Sequence, residues 1–452
     1  MPVPTVAAMK KHEAALQRSA TAWIVTGLFF MLLPGTFLGA WNLIVISDQH
    51  TAAHLDPAWI QAHAHAQIFG WIGSFILGIG FYSLSKMGGM ARFAVSRSWM
   101  SWTFWTAGVL LRWTTNVWPW QWRWLMPLSA LLELVGFTIF FMTVRRHPRE
   151  GDRPGASGDE SRVWMGAVLA GTIGFLLSLL ANLVVTLQAA ISASGPAIPH
   201  LENQRLLALF TWAFPVVTIW GFSARWLPVF LGLRNPNGRL LLTGLAVNVA
   251  AVIGALAGFW IPATGLFLLG AALAAAALGV FGHAIRPPKI TGVHRTFPLF
   301  VRIAYGWLMV SAVLSMAAAY WDRSGGLWGA SRHALTVGFI ATMVFAIGQR
   351  VLPAFCGMRV LFSPTLMFIA LVLLNAGCAL RVGSEIGAYE GYVPALWPLL
   401  PLSAVTEMSA VTVFAANLLL TFRQAPAHLR QQADASGARP RASRRLDAPS
   451  QS

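Results

Sequence analysis

The sequence predicts an all-α membrane protein of twelve transmembrane helices, arranged as three related four-helix units with both termini in the cytoplasm. Three observations predict it. Of 452 residues, 56% are hydrophobic and 10% charged, where a soluble domain carries about 25% charged residues. Apolar runs long enough to cross a hydrocarbon core, about 20 residues each, follow one another through the chain. Short sequence elements also recur from one third of the chain to the next.

The runs lie near residues 22–46, 58–85, 95–115, 123–144, 163–191, 204–231, 239–260, 262–284, 298–320, 328–355, 364–382 and 394–422. The first follows Lys10, Lys11 and Arg18 and is longer than the roughly 7–15 residues of a signal-peptide core, so it reads as a retained helix. Loops alternate in charge. One set holds Lys86, Arg92 and Arg97; Arg145, Arg146, Arg149 and Arg153; Arg234 and Arg239; Arg286, Lys289 and Arg295; and Arg359. Residues 47–57 and 261–265 carry no Lys or Arg. The positive-inside rule then places both termini in the cytoplasm. The domain reading is a cytoplasmic segment 1–21, a membrane domain 22–422 and a disordered cytoplasmic tail 423–452 rich in Ala, Arg, Ser and Gln. A net charge of +17 could suggest nucleic acid, but these basic residues sit in loops and tails between apolar runs, which excludes it. Cys356 and Cys378 form no CxxC, which argues against iron–sulfur and structural zinc. The 21 tryptophans, among them Trp118, Trp120, Trp122 and Trp124, read as an interfacial belt.

The repeat is carried by matched elements. Arg225-Trp-Leu-Pro228-Val-Phe230-Leu-Gly232 ends the sixth span and Arg350-Val-Leu-Pro353-Ala-Phe355-Cys-Gly357 the tenth. Pro127-Leu-Ser-Ala-Leu-Leu-Glu133 in the fourth span matches Pro401-Leu-Ser-Ala-Val-Thr-Glu407 in the twelfth. Ala107-Gly-Val-Leu-Leu-Arg112 matches Ala376-Gly-Cys-Ala-Leu-Arg381, and His65 with Gly70 matches His333 with Gly338. The units are 22–144, 163–284 and 298–422; the middle one lacks the histidine, the arginine and the glutamate.

The charge pattern puts His50, His54, His63, His65, His200 and His333 on the outer side, and His12, His147, His283, His294 and His428 on the inner. Ionisable side chains at membrane depth are costly and mark function, and imidazole is a common ligand of haem iron and copper. The stretch His63-Ala-His65-Ala-Gln-Ile-Phe-Gly70-Trp therefore points to a metal centre. Its two imidazoles project about 200° apart on a helix, so they cannot both face one ion. Gly70 and Gly73 remove bulk beside them. Arg112 and Glu133, and Arg381 and Glu407, read as two intramembrane ion pairs. His54 and His200 are weak copper candidates in outer loops.

With its twelve spans in three arcs and its His-x-His element, the chain is similar to the catalytic subunits of haem–copper oxidases and nitric-oxide reductases. It departs from them in carrying no histidine in 204–231 or 239–260, where three copper ligands would stand. It more closely resembles the NnrS family, through HAHAQIFGWIG, Gly221-Phe-Ser-Ala-Arg225-Trp-Leu-Pro228 and Arg332-His333-Ala-Leu-Thr-Val-Gly338. Members of that family often carry a glutamate where this chain has Ala66.

The resemblance implies a multi-pass protein of a bacterial inner membrane in the nitric-oxide and denitrification response. It implies non-covalent haem b, since no CxxCH motif is present, with copper as a further candidate. The candidate haem ligands are His333 with His65, the partner preferred by repeat alignment, or with His63. Arg112 and Arg381 are candidate propionate contacts, and Glu133 and Glu407 candidate proton carriers. Partners would be the bilayer, nitric oxide or another diatomic gas, and a redox protein. A stand-alone oxidase or nitric-oxide reductase is not expected, because the copper histidines are missing. The alternatives are a transporter, whose sites lie at the membrane midplane, and a reductase subunit acting with a partner.

Overall fold

The structure, a computed structural model, describes residues 6–87, 94–145, 160–357 and 360–423. Arg92, Arg146, Arg149, Arg153, Arg359, His147, His428 and the tail from residue 424 lie outside them. Every regular element among the described residues is helical.

The first unit comprises α1 (Val6–Phe30), α2 (Leu38–Gln49), α3 (Pro57–His65), α4 (Ser74–Met87), α5 (Val95–Val117) and α6 (Trp122–Arg145). The second comprises α7 (Glu160–Ser192), α8 (His200–Ala208), α9 (Val217–Phe230), α10 (Gly238–Leu256) and α11 (Trp260–Leu278). The third comprises α12 (Phe297–Trp321), α13 (Gly326–His333), α14 (Thr342–Phe355), α15 (Pro364–Ser384) and α16 (Leu399–Arg423). Several pairs are continuous helices interrupted by a wide π turn, so α3–α4, α8–α9 and α13–α14 each cross as one rod.

Among the described residues, eleven helices are long and apolar enough to span a membrane. The twelfth expected span is α5, a 23-residue helix left outside that class by its sequence. Arg97, Arg112, Asn116 and its Ser and Thr residues lower its apolarity. Trp118, Trp120 and Trp124 stand exposed at the α5–α6 turn, as an interfacial belt requires.

The repeat is visible in backbone register. The π segments Ala66–Gly73, Leu209–Val216 and Ala334–Ala341 are each 8 residues long. Each is followed by a 14-residue helix. His65, Ala208 and His333 are the residues immediately before them, so the three positions are equivalent. Small residues let the paired helices of each unit approach closely, as membrane packing favours. A Cβ built on Gly108 of α5 would lie 2.8 Å from Glu133 Cγ, and one on Gly377 of α15 2.6 Å from Glu407 Cγ. In the middle unit Gly244 and Gly270 face each other's backbone.

Candidate functional site

The π segment Leu209–Val216 touches both of the others, Ala66–Gly73 and Ala334–Ala341. Two register positions on each rod decide what lies beside it. The residue ending the α-helical part and the residue two before it project about 200° apart, so they face different surroundings. On the three rods these are His65 and His63, Ala208 and Leu206, and His333 and Ser331.

The space beside His65 is filled. His65 packs on Phe69 with ring centroids 4.7 Å apart, and Phe69 meets Phe210 edge-on at 5.0 Å. Trp105, Phe137, Phe175 and Phe214 complete the plug. His65 Nε2 donates to Glu133 Oε1 at 2.7 Å, with both side chains buried.

Beside the rods lies a cavity of about 350 Å³, within the range of cofactor pockets. His63, Ala208, Ser331 and His333 are all on its wall. Asp56 caps α3, accepting from the Ala58 amide, and Pro57 starts the helix that carries His63. His63 Nδ1 donates to the Gly35 carbonyl at 2.9 Å. That carbonyl belongs to the π segment Met31–Phe37. The ring sits against Gly39, whose added Cβ would lie 2.5 Å from His63 Cε1. His333 Nδ1 donates to the Gly329 carbonyl and to Glu385 Oε2, both at 2.9 Å. A ring nitrogen facing a carbonyl must carry the proton, so both rings are fixed as Nδ1–H tautomers. Nε2 of each is left with its lone pair and with no hydrogen bond to a described residue. The two imidazoles lie within electrostatic reach of each other and of Arg381.

Arg381 NH2 pairs with Glu385 Oε1 at 3.0 Å, while its Nε and NH1 have no partner among the described residues. Glu407 Oε1, Asn42 Oδ1, Gln67 Oε1 and Trp71 Nε1, all on the cavity residues, are likewise without partners there. Buried polar atoms are normally satisfied. Of these orphans the donors, Arg381 Nε and NH1 and Trp71 Nε1, suit the carboxylate arms of a ligand, and the two lone-pair imidazoles suit a metal.

The structure rearranges several sequence expectations. It brings His63, rather than the preferred His65, into one cavity with His333. The physical reason is the 200° offset: His65 is turned into the aromatic cluster, and His63, two residues earlier, onto the cavity wall. Neither expected ion pair closes to salt-bridge distance: Glu133 bonds His65 with Arg112 in electrostatic reach, and Arg381 bonds Glu385 with Glu407 in electrostatic reach. Arg112 is buried with Nε and NH1 unpartnered among the described residues, and it is not on the cavity wall; Arg381 is. His54 and His200 are exposed, and no group of three or more metal-ligating side chains occurs among the described residues. Sequence reasoning missed Glu385. Its signal was the four-residue step from Arg381, where the first unit has Asn116 after Arg112.

A family profile described as Domain of unknown function (DUF8744) matches residues 165–423. No curated protein matches the chain. Among solved structures, a haem–copper terminal oxidase dimer is similar in fold, with a TM-score of 0.61 at 10% identity, over 91% of this chain and 85% of that one.

Proposed function

We propose that this chain, which belongs to the DUF8744 family, is a multi-pass membrane protein that binds one haem b non-covalently between His63 and His333. One observation carries the reading: two imidazoles from different repeat units line one cavity, each with Nδ1 tied and Nε2 free. Arg381 would receive a propionate through its unpaired Nε and NH1. When bound, the haem would supply a one-electron redox couple. Ligation by two histidines favours electron transfer with a redox partner over gas binding at an open position.

The finer reading follows the resemblance to the NnrS family: a role in the nitric-oxide or denitrification response in a bacterial inner membrane, with both termini cytoplasmic and with nitric oxide or another diatomic gas as a partner that would have to displace one histidine to bind. Copper has weaker support, since His54 and His200 are exposed loop-end residues. The oxidase-like fold supports a membrane haem protein and leaves the chemistry to the residues.

The test is the visible spectrum of the purified full-length protein. A Soret band with a reduced α-band is expected, and its loss in the folded double variant His63→Ala/His333→Ala. A colourless, fully folded wild type overturns the reading in favour of a transporter.

A further inference from the structure

The two candidate ligands are held unequally. His333 Nδ1–H points at a carboxylate, Glu385 Oε2, at 2.9 Å, and Glu385 is itself buried. His63 Nδ1–H points at a neutral carbonyl, that of Gly35, which also accepts from the Leu38 amide. Glu385 is fixed in place because its other oxygen accepts from Arg381 one helical turn earlier, at 3.0 Å. It opens the short π segment Glu385–Tyr389, which widens the helix end towards α13. A buried carboxylate on the far nitrogen pulls the Nδ1 proton and gives the ring imidazolate character, raising the basicity of Nε2. A shared neutral carbonyl does so much less.

Building on the haem reading above, we infer that Glu385 is a positioning residue that makes His333 the anchoring ligand and His63 the weaker one, and that it holds the reduction potential of the bound metal low. The added electron density at Nε2 stabilises the more positive, oxidised metal. The same inference explains the first repeat. There the position equivalent to Glu385 is Asn116, which bonds the Pro196 carbonyl, and no carboxylate reaches a ligand's far nitrogen. Instead Glu133 occupies Nε2 of His65, the atom a metal would need.

The experiment compares haem content, spin state and midpoint potential in four full-length proteins in detergent. Expected is loss of haem in His333→Ala. His63→Ala should keep haem, turn high-spin and bind carbon monoxide. In Glu385→Gln, which keeps the side chain's shape, the potential should move to more positive values and haem affinity fall by roughly 10–100-fold, as for other loss of partners behind a ligating histidine. Equal haem loss in both histidine variants, or an unchanged potential in Glu385→Gln, overturns the inference while leaving the haem reading intact. If Glu385→Gln does not fold, the two histidine variants decide. A colourless wild type instead removes the haem reading, and this inference with it.

Discussion

His65 and His333 occupy the same register on equivalent helices, yet carboxylates engage opposite ends of their rings. Glu133 holds His65 by Nε2 at 2.7 Å, and Glu385 holds His333 by Nδ1 at 2.9 Å. The first contact consumes the nitrogen best placed to leave the helix and bind something. The second leaves that nitrogen available. One repeat has turned its histidine into a packing element, and another has kept it as a donor of a lone pair.

The His65–Glu133 pair is therefore expected to support folding. Removing one partner of a buried charged pair costs about 3–5 kcal/mol, because the other is stranded. His65→Ala and Glu133→Ala should each lower the unfolding temperature in detergent, and haem per folded molecule should stay at the wild-type level. A haem-free but normally stable His65→Ala protein would contradict this assignment.

The two repeat-related arginines should behave differently. Arg381 is on the cavity wall with Nε and NH1 unmatched, whereas Arg112 is not on that wall. Lysine keeps the charge and loses the planar fork that suits a carboxylate. Arg381→Lys should weaken haem retention in a dilution assay; Arg112→Lys should not. Equal retention in both variants would remove Arg381 from the site.

Gly39 sets the orientation of His63. A methyl group there would meet the imidazole at 2.5 Å from Cε1. Gly39→Ala should tilt or displace the ring, raising the high-spin fraction of the visible spectrum. Overpacking of this kind typically costs about 1–3 kcal/mol, so the fold should survive. An unaltered spectrum would place the ring elsewhere.

Gly108 and Gly377 let α5 and α15 lie against α6 and α16. An added Cβ meets the Ser129 carbonyl at 2.8 Å in one case and the Ser403 carbonyl at 3.3 Å in the other. Alanine at Gly108 has the closer backbone clash and should destabilise more than alanine at Gly377. Thermal unfolding of the two variants in the same detergent checks the order.

Much of the architecture was legible because hydropathy and repetition act over long stretches. The matched PLSA motifs bring Glu133 and Glu407 against Gly108 and Gly377, and the structure shows the same contact in both repeats. The histidine register was legible for the same reason. The pairing of side chains was not. Which of two histidines meets His333 depends on facing directions between units that no local pattern encodes. Glu385 was hidden because it lies in the turn after its helix, where the repeat has broken down. α5 falls short of the apolar class on composition alone: its buried arginine and hydroxyls serve the interior and dilute its apolar character.

The π segments also restrict how this sequence can change. Each residue added to or removed from a helix rotates everything beyond it by about 100°. A one-residue deletion within Ala66–Gly73 would swing His63 and His65 onto new faces relative to α4. His63 would leave the cavity wall, and His65 would lose its contact with Glu133. Substitutions along this rod can be absorbed one at a time, but a change of length undoes both contacts at once. Chains that share this arrangement should vary in residue identity here and hold the number of residues between the histidines and α4 constant.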